Sequence, residues 1–80
     1  MKKLSHNNAI YLESEALKMI SYDEERYVLK ATFNNNRTYQ YMGVSNAVWV
    51  DFLNTIYSGA SAGAFINKKI KPFYKYIEVT

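Results

Sequence analysis

Hydrophobic and polar residues alternate along two stretches in the first half of the chain. Tyr27, Leu29, Ala31 and Phe33 take every second position against Val28, Lys30 and Thr32, and between Thr38 and Val44 the pair Tyr39 and Tyr41 alternates with Gln40 and Met42. Successive side chains of an extended strand point to opposite faces, so a period of two predicts strands with one buried face. Asn34, Asn35, Asn36 and Arg37 form the turn between them, since Asn tolerates positive φ and bonds to nearby backbone. Ala16 to Tyr22 predicts an earlier strand, closed by the polar run Asp23-Glu24-Glu25-Arg26. The three strands make an antiparallel meander. Residues 1–13 show no clear period and are expected to form an N-terminal arm or a short extra element, ahead of a single domain over 14–80.

After Val44 the period changes. Ser45 suits a helix N-cap, and Val48, Trp49, Phe52, Leu53, Ile56 and Tyr57 follow at the spacing of an amphipathic stripe. Ser58-Gly59 ends that helix, because Gly accepts the left-handed conformation past a C-terminus. A second, shorter helix is predicted from near Ser61 to before Pro72, with Phe65, Ile66 and Ile70 turned inward. Tyr74 to Val79 alternates again and suggests a last strand, at a sheet edge or in a partner subunit. The expected fold is α+β, an antiparallel β-meander of three to four strands packed against one long and one short C-terminal helix.

Composition then narrows the possibilities. A chain of 80 residues is near the lower limit for a self-sufficient core, since domains of this size bury only about 60% of their unfolded surface. With no cysteine and a single histidine, His6, neither disulfides nor a Cys- or His-based metal cage can supplement it, and no cofactor is implied. Self-association remains, and eight tyrosines suit it. No apolar run approaches the roughly 20 residues of a membrane span, and Met1-Lys2-Lys3-Leu4 leads into polar residues rather than a signal-peptide core, so the chain reads as cytoplasmic. Net charge is only +3, yet from Phe52 to Ile77 there are four lysines and no carboxylate. That segment would attract phosphates, although a lysine cluster is more commonly just a solvated face.

The runs "YDEERYVLKATF", "TYQYMGV", "SNAVWVDFL" and "SGASAGAFINKKIKPFY" resemble the KTSC domain, a small module found alone in many bacteria and phages and attached to some lysyl-tRNA synthetases. The resemblance spans roughly Glu15 to Tyr74 and is most specific in Ser61, Gly63, Phe65, Asn67, Ile70 and Tyr74, with Tyr39, Tyr41 and Val44 upstream. Two positions depart from the family: Ser45 where Pro is frequent, and Lys71 near a frequent Arg. Lys cannot make the planar bidentate contact of Arg. The resemblance implies a β-meander followed by helices and no established catalytic activity. It also implies a sharper possibility, because some small phage proteins similar to this module act as sponges that bind cyclic nucleotide signals of bacterial immunity, such as cGAMP in the CBASS system, without destroying them. The compartment would then be the host bacterial cytoplasm.

A sponge needs phosphate donors, flat surfaces for bases and a rigid frame. Gly63 allows close backbone approach, a helix starting near Ser61 would direct N–H groups at an anion, and Ser58 and Ser61 offer hydroxyls. Lys68, Lys69 and Lys71 supply charge, and Arg37 could clamp a phosphate across a subunit boundary. Tyr39, Tyr41 and Tyr74 could stack on bases, and Asn67 could read a base edge. Each has a plainer reading: Tyr74 as core, Gly63 as a packing glycine, Ser61 as an N-cap, Asn67 as a backbone partner, Arg37 as a solvated turn residue. Tyr39 and Tyr41 share a face and are either both buried or both presented. The expected partners are a cyclic nucleotide and further copies of the chain, as a dimer or tetramer with ligand between subunits, and no membrane. An RNA- or tRNA-binding accessory module and a protein-interaction module are the alternatives. An enzyme is the weakest class, since no nucleophile–base pair can be assembled.

Overall fold

The computed structural model describes residues 10–12 and 16–79. Five strands form one antiparallel sheet in sequence order: β1 (Ile10–Tyr11), β2 (Leu17–Asp23), β3 (Val28–Phe33), β4 (Thr38–Met42) and β5 (Tyr76–Glu78). Helix α1 (Asn46–Tyr57) and helix α2 (Ala62–Phe65) come between β4 and β5, and α2 runs directly into a wider π-helical stretch over Ile66–Ile70. The α+β class stands as expected, with more strands than expected. β5 falls within the last strand suggested by the alternation over Tyr74 to Val79, and the strand not counted is β1, whose two residues are too few to display a period. The expected arm over 1–13 falls mainly outside the described residues, His6 included, and its described part supplies β1.

Hairpin chemistry explains the meander. Between β3 and β4, Asn36 takes φ 67° and the Arg37 N–H donates to Asn35 Oδ1 at 3.0 Å, the local bonding for which Asn is favoured in turns. Between β2 and β3, Asp23 Oδ1 accepts the N–H groups of Glu25 and Arg26, and Tyr27 takes φ 58°. Tyr27 is therefore a turn residue, about half exposed, rather than the first inward residue of β3. In β2 the register slips between Leu17 and Met19, so Lys18 is an extra residue in a bulge. Leu17 thereby reaches the same core as Ile20 and Tyr22, all buried.

Ser45 caps α1 by accepting the Val48 N–H. At the other end Gly59 adopts φ 89°, its N–H donates to the Ile56 carbonyl and the Ala60 N–H to the Thr55 carbonyl, which is a Schellman closure. Trp49 and Phe52 turn inward, whereas Tyr57, read from the sequence as part of the apolar stripe, is 76% exposed at the last turn. Across the sheet–helix junction the rings form a continuous line. Tyr22 stacks on Trp49 at 5.1 Å, Trp49 meets Phe52 edge-on at 6.2 Å, and Phe52 stacks on Phe65 of α2 at 4.6 Å. Phe52, Leu17, Ile20, Leu29, Ile66, Ile70 and Val44 are fully buried around that line.

Gly63 holds α2 against the start of β2: a Cβ there would lie 3.1 Å from the Ala16 Cβ, tighter than ordinary contact. Among the described residues no helix is long and apolar enough to cross a membrane.

Two buried phenols belong to this core. The Tyr22 hydroxyl donates to the Val44 carbonyl at 2.6 Å, and burial raises its pKa above the ordinary value. Tyr41, 2% exposed, is pushed up to about 12, by burial first and then by Tyr76 and Tyr39. Since the folded pKa lies above the unfolded value of 10.0, Tyr41's contribution to stability is complete below about pH 10 and lost as the pH rises through about 12. Urea midpoints should therefore hold up to about pH 10 and fall beyond it, and Tyr41→Phe should flatten that fall. Phe52→Ala removes the central ring of the line and should cost about 3–5 kcal/mol in urea unfolding, a large share of the roughly 5–15 kcal/mol available to a small domain.

Candidate functional site

The face of the sheet that carries Leu29, Ala31, Tyr39 and Tyr41 also carries Tyr76 and Glu78, because β5 pairs Tyr76 with Tyr41 and Glu78 with Tyr39. Inward residues of β3 and β4 near the helices are covered. Toward β5 the cover thins, and a hollow of about 220 Å³ opens, walled by Phe33, Tyr39, Tyr41 and Tyr76 and rimmed by Asn35, Asn67 and Lys71. Phe33 and Tyr39 meet edge-on at 5.7 Å, Tyr39 and Tyr76 edge-on at 5.8 Å, and Tyr41 and Tyr76 are tilted at 5.4 Å. The aromatic surface is thus held by its own ring contacts. Asn67 and Lys71 stand four residues apart on the wide helical turn, so both project toward the same side.

The chemistry of this hollow is specific in kind. Its walls offer π faces, its rim offers two amides and one ammonium group, and no carboxylate lines it. Four aromatic walls alone would suit a cation, as in aromatic cages. Lys71 at the rim opposes that and favours a flat group carrying negative charge nearby. The Tyr41 phenol, pushed up to about 12 by burial first, stays protonated and neutral.

A second concavity, of about 640 Å³, lies on the other side of Asn67, between the end of α1, the start of α2 and the Leu12 and Ala16 region. Ser61 and Gly63 line it together with Gly59, Ala60, Ala62 and Ala64, and none of its lining residues is charged. The anion cradle expected at the helix mouth is therefore divided. The small residues and the lysine–tyrosine group occupy opposite sides of one short helix, and Asn67 alone borders both. The mouth itself is weak: α2 is only four residues long before it widens, and Ser61 Oγ already accepts the Ala64 N–H at 3.1 Å.

Four of the eleven residues expected in a site, Tyr39, Tyr41, Asn67 and Lys71, meet at the hollow. The others are placed elsewhere. Ser58 is the C-cap of α1, and its hydroxyl donates to the Thr55 carbonyl at 2.7 Å. Gly63 serves close packing. Lys69 carries its ammonium 5.8 Å from the Phe65 ring centre, and Lys68 is exposed on the same turn without lining either concavity. Tyr74 is half-buried against the core. Arg37 pairs with Glu78 at 3.7 Å along the sheet edge, an exposed ion pair of small energetic weight.

Phe33, Asn35 and Tyr76 were not expected in a site. Phe33 and Asn35 follow from the hairpin, which brings the end of β3 beside the start of β4. Tyr76 depends on the pairing of β4 with β5, a contact across the whole helical segment that local periodicity does not report. Among the described residues no three His, Asp or Glu side chains gather into a group able to hold a metal ion.

Comparison with known proteins bears on the fold. A crystal structure of a KTSC domain protein from Yersinia pestis superposes with a TM-score of 0.81 at 24% identity, covering 92% of this chain and 99% of that one, and so shows the same fold. No curated protein matches the chain. The family model of the KTSC domain matches residues 13–76, most of the sequence, from β2 through both helices to the start of β5, and the chain belongs to the KTSC-domain family.

Proposed function

We propose that this protein binds a cyclic oligonucleotide second messenger and holds it unaltered, with a base in the aromatic hollow and a phosphate at Lys71. In a bacterial cell such binding would keep the messenger from its receptors and blunt anti-phage immune signalling of the CBASS kind. The observation that carries this reading is the hollow itself: π walls, two amides and one cation, with no acidic side chain on its lining. At about 220 Å³ it falls below the roughly 300–1,000 Å³ of sites that enclose a whole drug-sized ligand. It suits one base, so a dinucleotide would engage two copies of the chain.

Charge distribution favours a compact ligand over a long RNA. Polyanion affinity follows the number of phosphates neutralised together, and here the cations are scattered. Arg37 and Arg26 face Glu78 and Asp23, Lys69 lies over Phe65, Lys18 donates to Asn36, and Lys30 borders a different depression on the opposite face.

A panel of cyclic di- and trinucleotides tests the proposal. At a ligand concentration about 100 times Kd, stabilisation reaches about 2.7 kcal/mol, which in a domain of this size raises Tm by more than about 10 °C. Recovered ligand should be chemically intact. Tyr39→Ala should weaken binding by about 1–3 kcal/mol through lost stacking, Lys71→Ala should weaken it and reduce its salt dependence, and Lys68→Ala should leave it unchanged. No Tm shift across the panel, together with a salt-sensitive gel shift of tRNA at about 150 mM salt, would replace this reading with the RNA-binding one.

A further inference from the structure

Among the described residues strand β5 ends the sheet and leaves one side of its backbone unpaired. The Lys75 carbonyl accepts from the Met42 N–H and the Val79 N–H donates to the Thr38 carbonyl, each at 2.8 Å, with Ile77 opposite Gln40 between them. Backbone groups of a strand alternate in direction, so Lys75, Ile77 and Val79 face β4, while the N–H and C=O groups of Tyr76 and Glu78 face outward. Exposed edges are usually blunted by proline, bulges or short length with charges. This one is short and carries Glu78, but it also exposes Tyr76, Ile77 and Val79 at 43%, 51% and 41%. β1, the opposite edge, is only two residues long and offers no comparable register.

We infer that β5 pairs antiparallel with β5 of a second copy of this chain about a two-fold axis at Ile77, making one continuous sheet with the two aromatic hollows side by side on the same face. Outward backbone groups must meet outward groups, so permitted registers differ by steps that keep Tyr76 and Glu78 opposite one another or opposite themselves. With Ile77 on the axis, Tyr76 exchanges both backbone bonds with the partner's Glu78, and the reverse pair completes the ladder. Ile77 then meets its own copy on the back face, and no like charges oppose. A slip one way sets Glu78 against the partner's Glu78, two carboxylates in direct opposition. A slip the other way calls on the Tyr74 N–H, which already donates to the Ile70 carbonyl at 3.1 Å. One register is therefore left.

The pairing also completes the hollow. Tyr76 is its outer wall, and in this register that wall lies against β5 of the partner subunit instead of open solvent. Neighbouring strands lie about 4.8 Å apart, so the two outer walls come close together across the axis. A two-base ligand with approximate two-fold symmetry matches that arrangement; this last step rests on the proposed function, whereas the strand pairing does not.

Sedimentation equilibrium of the ligand-free protein at about 100 μM, a concentration where interfaces of even modest affinity are populated, should give twice the chain mass. Glu78→Pro removes an outward N–H without touching the ladder to β4 and should give a monomer with unchanged circular dichroism. Ile77→Lys sets two cations against each other at the axis and should weaken dimerisation at least tenfold; it decides the matter if the proline variant does not fold. Hydrogen exchange should show the Tyr76 and Glu78 amides protected in the wild type and open in Ile77→Lys, with the Ile77 and Val79 amides protected in both. A monomeric wild type, a dimer that survives Ile77→Lys, or freely exchanging Tyr76 and Glu78 amides in the dimer would overturn the inference. Nucleotide binding measured on the same samples separates the two claims: a monomer that binds cyclic dinucleotide discards the edge pairing alone, and a β5-paired dimer that binds none discards the proposed function alone.

Discussion

The line of rings from Tyr22 through Trp49 and Phe52 to Phe65 is the contact on which the rest of the molecule depends. A five-stranded sheet with two-residue and three-residue edge strands cannot cover its own inner face, and a twelve-residue helix is marginal alone. Stacked and edge-on rings join the two with directional preference as well as area, so the angle of α1 on the sheet is fixed along with its distance. Because Phe65 ends the line, α2 and the wide turn after it are fixed too, and that turn carries Asn67 and Lys71. Core packing and site geometry are thus consequences of one another: the rigid frame that a binding hollow needs is the same ring line that holds a small chain folded.

Much of this was readable from the residues, and the part that was not has a physical reason. Leu29 and Ala31 betray β3 by strict alternation, the Asn34–Asn36 run marks its turn, and Ser45 and Gly59 bracket α1, all signals set by neighbours a few positions apart. Tyr27 and Tyr57 mislead because an aromatic at the end of a periodic run continues the pattern on paper while the chain is already turning. The candidate site was half legible. Tyr39 and Tyr41 share a face by the pleat, and Asn67 and Lys71 share a helical face by spacing, but that these two faces meet, and that Tyr76 closes the space between them, depends on β5 returning to β4 across the 33 intervening positions between Met42 and Tyr76. The serine–glycine run looked like a ligand cradle for a related reason: small residues serve close packing and anion approach equally well, and Gly63 turns out to touch Ala16.

Tyr39 and Tyr41 also resolve the choice between buried and presented in an intermediate way. Tyr41 is enclosed and Tyr39 is partly covered, yet both line the hollow. A wall built so is stiff before any ligand arrives, which lowers the ordering cost of binding.

The bulge at Lys18 bears on how chains of this shape can change length. Leu17 stays opposite Phe33 and Met19 opposite Thr32, so the additional residue is absorbed locally and its side chain reaches out to Asn36. Dropping that one position would restore an even pleat while every buried neighbour kept its present opposite number. Near the start of β2 the sheet therefore has a place where the chain can shorten by a residue without turning its interior inside out, a freedom that the unbroken ladder between β3 and β4 does not have.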